Sequence, residues 1–160
     1  MSRFLTDFTE DELKNCIANA YDEKFDTKEI APLHEADGEY FLELFHGATI
    51  AFKDMALQIL PYLLTTSAKK TIDGKKISIL VATSGDTGKA ALEGFKDVDG
   101  TSIMVFYPED GVSNMQKRQM TTQEGSNVNV CAVVGNFDDC QSGVKPVSYT
   151  HLTLPTTPYV

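Results

Sequence analysis

Ile77-Ser78-Ile79-Leu80-Val81-Ala82 runs without a break into Thr83-Ser84-Gly85-Asp86-Thr87-Gly88. The first six residues form an almost unbroken apolar run of strand length, which predicts a strand buried on both faces of a parallel sheet. Beyond the loop, Gly88, Ala91, Leu92 and Phe95 fall at i, i+3, i+4 and i+7, one face of a helix that starts near Asp86. The same alternation continues downstream. Residues 103–107 read as the next strand, stopped by Pro108, and Ser113 caps a helix through Met115 and Met120. Residues 128–134 read as another buried strand, and a further helix starts at Phe137 and runs to about Val144. Strands alternating with helices define the α/β class: a parallel sheet flanked by helices, right-handed crossovers, and a ligand crevice at the carboxyl ends of the strands.

Upstream, Thr9 and Glu12 form a capping box that opens a helix through Leu13, Ile17 and Ala20 to Tyr21. Residues 40–45 read as a strand. From Lys53 to Thr66, Met55, Ala56, Ile59, Leu60, Leu63 and Leu64 recur at helical spacing, with Pro61 predicting a kink. Asp73-Gly74 is a turn signal. The last stretch, 146–160, has three prolines, four threonines and no Lys, Arg, Asp or Glu. It lacks periodicity, interrupts the preceding helix at Pro146, and resembles translated sequencing-adaptor read-through. The chain therefore divides into a helical lead-in (1–38), a partial α/β unit (39–145) and a non-native-looking tail (146–160).

At 160 residues, 42% of them hydrophobic and 23% charged, the chain suits one globular domain. A net charge of -9 repels nucleic acid and anionic lipid, so neither is an expected partner. No stretch reaches the roughly 18 apolar residues that a membrane span needs, and a cytoplasmic location is the default. Cys16, Cys131 and Cys140 are widely spaced, with no CxxC pair, which predicts reduced, buried thiols and no metal site.

Two stretches carry chemistry. In Leu44-Phe45-His46-Gly47-Ala48-Thr49-Ile50-Ala51-Phe52-Lys53-Asp54, a lysine stands at the first turn of an apolar helix behind a glycine-containing loop. A helix N-terminus disfavours a cation, so the position suits covalent attachment of a carbonyl cofactor; the plainer reading is a solvated surface lysine. The 83–88 loop, between strand and helix, has glycines that admit a ligand close to the backbone, three hydroxyls, and free amides at the helix N-terminus for a carboxylate or phosphate. The plainer reading is a helix cap by Ser84 or Asp86. A phosphate-binding Walker motif fails, because Thr83 replaces its first glycine and Ala90 its magnesium-binding hydroxyl. Two readings stand for His46, a pocket-lining group or one that satisfies local hydrogen bonds; His34 reads as surface.

The residues from Glu43 through Thr49-Ile50-Ala51-Phe52-Lys53-Asp54-Met55-Ala56 resemble the lysine attachment motif of serine and threonine dehydratases and threonine synthases. Thr83-Ser84-Gly85-Asp86-Thr87-Gly88 resembles the substrate loop of the threonine synthases. The stretches 107–120 and 135–141 also resemble that family's segments, in the same order, so the likeness covers roughly 7–145. Ala48 stands where the family run has proline. The resemblance implies a partial fold type II pyridoxal 5'-phosphate enzyme with Lys53 carrying the cofactor as the catalytic residue. It also implies substrate binding by Thr83, Ser84, Gly85, Asp86, Thr87 and Gly88, and conversion of O-phosphohomoserine and water to threonine and phosphate. A phospholyase or dehydratase would share these motifs, and an inactive α/β fragment is the reading from another class. Lys117 and Arg118 read as a solvated helix face. The 160-residue stretch alone is expected to hold the cofactor poorly and form no threonine, and its oligomeric state does not follow from its sequence.

Overall fold

A computed structural model describes residues 1–72 and 74–151. Its centre is a three-stranded parallel sheet in the order β3 (Ile77–Ala82), β4 (Thr101–Pro108) and β5 (Val128–Val133). Ile77 pairs with Thr101 and Ile103 with Val128. The crossovers run through α4 (Asp86–Phe95) and α5 (Asn114–Thr121), and α6 (Phe137–His151) follows β5. The α/β reading therefore holds, with β3 and α4 beginning where the sequence places them.

The core lies on one face of this sheet. Ala91, Leu92 and Phe95 of α4 and Met120 of α5 pack on Ile103, Val105 and Tyr107, alternate residues of β4 that are almost fully buried. The two strands predicted to be buried, β3 and β5, stand at the two edges of the sheet, and only the central strand β4 approaches that burial. Their residues are mostly half-buried or exposed, and Cys131 on β5 is exposed where a buried thiol was expected. Cys16 and Cys140 are buried as predicted.

Before the sheet come α1 (Glu10–Ala20), β1 (Leu33–Ala36), β2 (Glu39–Leu42), α2 (Asp54–Leu57) and α3 (Leu60–Thr71). The Thr9–Glu12 capping box is formed. Leu13 and Ala20 are buried as predicted, while Cys16 takes the place expected of the exposed Ile17; this face packs with Ile59 and Tyr62 of the α3 region. β1 and β2 form an antiparallel hairpin across the 38/39 boundary. Asp37 and Gly38 both have positive φ, 53° and 81°, as a two-residue primed turn requires. The strand predicted at 40–45 is thus 39–42 and exposed, paired with a strand the sequence reading did not include.

The single kinked helix predicted from Lys53 to Thr66 is two helices. Pro61 has no N–H to give to the Leu57 carbonyl four residues earlier, so α2 closes after one turn and α3 starts afresh with Pro61 in its first turn. In contrast, α6 runs through Pro146 where an interruption was predicted. The proline ring lies on an exposed stretch of the helix, and beyond it the Ser148 side-chain hydroxyl donates to the Val144 carbonyl at 3.1 Å. Of the tail set apart in sequence, 152–160 lies outside the described residues, as does Asp73 of the predicted turn.

Candidate active site

The 83–88 loop closes on itself through one side chain. Thr83 is buried, and its hydroxyl accepts from the amides of Gly85 (3.2 Å) and Gly88 (3.0 Å). This brace aims the chain from β3 directly into α4. The N-cap is Gly85, with no side-chain cap, so neither Ser84 nor Asp86 acts as the plain cap considered from sequence. Among the described residues the amides of Asp86 and Thr87 have no intrachain acceptor, as the first turn of a helix leaves them. A substrate anion can take them. Gly88 sits under Thr83, Val105 and Met120, where a Cβ would come within 2.4 Å of Thr83, so it shapes the loop from beneath.

Across from the loop stands Lys53, N-cap of α2. Its amine lies over the Phe52 ring, 4.4 Å from the centroid, a cation–π contact that steers the long side chain. One cavity of about 390 Å³, within the usual range for small-molecule sites, is lined by Lys53, residues 82–87, Gln116 and Phe137. The two stretches singled out in sequence, some thirty residues apart, thus face each other at the carboxyl end of β3. A larger cavity, about 600 Å³, opens at the amino ends of the strands among Lys69, Lys76, Asp97 and Asn127. It contains no residue of either motif.

Two cavity residues were missed in sequence. Gln116 completes a capping box with Ser113, its Oε1 accepting from the Ser113 amide and hydroxyl, while its Nε2 donates to Asp86 at 3.0 Å. It ties the start of α5 to the start of α4. A Cβ on residue 85 would meet its Nε2 at 2.4 Å, so glycine there lets Gln116 lie across the loop. The Ser-x-x-Gln spacing marked the cap, but only the fold brings it to Asp86. Phe137, at the start of α6, is the second. Lys117 pairs with Glu109 at 3.7 Å, and neither it nor Arg118 lines the cavity.

Behind the lysine, the loop is fixed at both ends. Both ring nitrogens of His46 are hydrogen-bonded to carboxylates, Nδ1 with Asp26 at 2.5 Å and Nε2 with Glu43 at 2.7 Å, and His46 does not line the cavity. Glu43 and then Asp26 hold its imidazole above the ordinary histidine range. His34 is exposed, 3.6 Å from Glu43. Ile50 has φ 59°, a left-handed conformation that costs a β-branched residue about 1–2 kcal/mol. Such strain persists only where the surroundings over-determine the backbone.

A parallel sheet flanked by helices, with this lysine and loop at its carboxyl edge, is the fold of the fold type II pyridoxal-phosphate enzymes. The chain superposes on the pyridoxal-phosphate-bound threonine synthase of Brucella melitensis with a TM-score of 0.79 and 40% identity, over 89% of this chain and 30% of that one. Yeast threonine synthase gives 0.79 and 36%, over 94% and 31%. In sequence it is 50% identical over 117 residues to threonine synthase of Pseudomonas aeruginosa, which is 72% of this chain and 24% of that protein. Within the class, this chain is threonine synthase-like over most of its length. No family model matches it. The chain spans about a quarter of the length of the curated relatives it matches.

Proposed function

We propose that the whole protein is a cytoplasmic pyridoxal-phosphate-dependent lyase that converts O-phosphohomoserine and water to L-threonine and phosphate. The observation that carries this reading is the shared cavity of Lys53 and the 83–87 loop. One wall offers an amine, the other offers unpaired amides and hydroxyls, and the space suits a small amino acid bound between them. These residues fit the cofactor: Lys53 would hold pyridoxal phosphate covalently. Bound there, the cofactor would supply a sink for an electron pair left on carbon. Lys53 would move protons at the substrate α and β carbons. The amides of Asp86 and Thr87 and the hydroxyl of Ser84 would take the substrate carboxylate, with Gln116 fixing Asp86, so that the α carbon faces the lysine. Phosphate leaves from the γ carbon, and water adds at the β carbon.

Borohydride reduction of the whole protein with pyridoxal phosphate, followed by peptide mass mapping, tests the site. The label is expected on Lys53 and absent in Lys53→Ala; a label on Lys75, Lys89 or Lys117 instead would overturn the assignment. Product analysis tests the reaction. Threonine and phosphate in equal amounts are expected, whereas phosphate with a keto acid would make the protein a phospholyase.

A further inference from the structure

The carboxylate next to the lysine belongs to no pair that the proposed reaction uses. Asp54 is 1% exposed, and no salt bridge reaches it among the described residues. Both its oxygens turn backwards onto one residue: Oδ2 accepts from the Thr49 amide at 2.7 Å and Oδ1 from the Thr49 hydroxyl at 2.6 Å, both bonds buried. Gly47 packs so close beneath that a Cβ there would lie 2.5 Å from Oδ2. The Ile50 amide bonds back to the Gly47 carbonyl at 3.0 Å, which closes the loop around strained Ile50.

The other side of Asp54 is anchored. Its amide donates to Ala51 and its carbonyl accepts from Gln58. The neighbouring Met55 carbonyl accepts from the Tyr21 hydroxyl at 2.6 Å. At the end of the same turn, Leu57 lies against Gly94 of α4, the helix whose first turn forms the opposite wall of the cavity. A rigid one-turn helix thus carries Lys53 at its start, and a buried carboxylate clasps the preceding loop onto it.

We infer that Asp54, through Thr49, is the positioning residue for the Lys53 amine, holding the 47–52 loop in the one strained form that directs the lysine into the cavity. The inference rests on the function proposed above. A carboxylate meets both Thr49 donors, the amide and the hydroxyl, with one oxygen each. An asparagine can accept only one of them, and its own amide must donate to the Thr49 hydroxyl oxygen, which reverses that bond and sends the hydroxyl proton elsewhere. A leucine, close in size, can accept neither.

The test is the rate at which pyridoxal phosphate becomes trapped on Lys53 in the whole apoprotein, read by borohydride reduction and peptide mapping, with labelling of exposed Lys75 and half-buried Lys117 as the internal reference. Asp54→Asn should slow labelling of Lys53 at least tenfold while the reference lysines label as before. Thr49→Val keeps shape and amide but loses the hydroxyl, so it should slow labelling severalfold without unfolding the protein. Thr49→Ser keeps both donors and should stay within twofold of the unaltered protein. Labelling of Lys53 within twofold of the unaltered rate in Thr49→Val and in folded Asp54→Asn would overturn the inference alone. If Lys53 of the unaltered protein labels no faster than the reference lysines, the site falls and the inference with it. Should Asp54→Asn fail to fold, the contrast between Thr49→Val and Thr49→Ser still decides.

Discussion

Gly94→Ala is a one-methyl change far from the lysine that should disturb it. Gly94 lies in the last turn of α4, and a Cβ built there falls 2.2 Å from the Leu57 carbonyl oxygen, against the 3.4 Å at which ordinary contact begins. The shortfall is about 1.2 Å, and the obstacle is backbone, so no rotamer change relieves it. That carbonyl lies there because Pro61 cannot donate to it and α2 ends. The helices must therefore part by roughly 1 Å, at a cost typical of overpacking, about 1–3 kcal/mol. This exceeds the 0.5–1 kcal/mol that alanine gains over glycine within a helix. Lys53 stands on α2 and the 84–87 loop on α4, so the displacement opens the cavity itself. A misplacement of about 1 Å can cost on the order of 100-fold in rate. The matched control is Gly143→Ala in α6, where nothing lies within 4 Å of the added Cβ and the helix gain should appear undiluted. Urea midpoints and the rate of cofactor trapping on Lys53 should move down together in Gly94→Ala, while Gly143→Ala should be slightly stabilised with trapping unchanged. If both variants gain stability and trap cofactor at the same rate, the tight α2–α4 contact does not position the lysine.

Three further outcomes follow from the geometry. Asn127 is buried and joins three segments, donating to the Phe95 carbonyl at 2.8 Å and the Thr101 hydroxyl at 3.1 Å and accepting from the Asp97 amide at 2.8 Å. Asn127→Ala should cost about 1–3 kcal/mol by leaving those groups unpaired, measurable by chemical denaturation. Ile50→Gly should stabilise the chain by up to about 1 kcal/mol, because left-handed strain of about 1–2 kcal/mol outweighs about 0.5–1 kcal/mol of added backbone entropy; a lowered melting temperature would count against strain at this site. The Glu43 and Asp26 carboxylates raise the imidazole of His46, so its contribution to stability is fully present below the unfolded value near pH 6.5 and is lost as pH rises through the higher folded value. Thermal melts of His46→Gln and the unaltered protein should therefore differ most near pH 5.5 and converge at alkaline pH.

What the sequence by itself determined was local. The apolar run at Ile77–Ala82 and the face of Ala91, Leu92 and Phe95 made β3 and α4 legible, because burial on one side of a regular element leaves a period in the chain. Thr9 with Glu12 and Ser113 before α5 were legible for the same kind of reason: a cap is satisfied within three or four residues. The Asp37-Gly38 turn signal was also present, and the β1 strand it implies was passed over. Tertiary structure decided the rest. Whether a strand is buried on both faces depends on its place in the sheet, so β4 is covered while Cys131 on edge strand β5 is exposed. Pro61 ends a helix and Pro146 does not, because one frees a carbonyl that packs against Gly94 and the other stands on an exposed stretch of α6. Lys53 was named from its neighbours in the chain, but its meeting with the 83–87 loop and Gln116, and the clasp of Asp54 on Thr49, depend on packing between segments far apart in sequence. No local period records which distant segments will touch, because that contact is selected by the burial of the whole core.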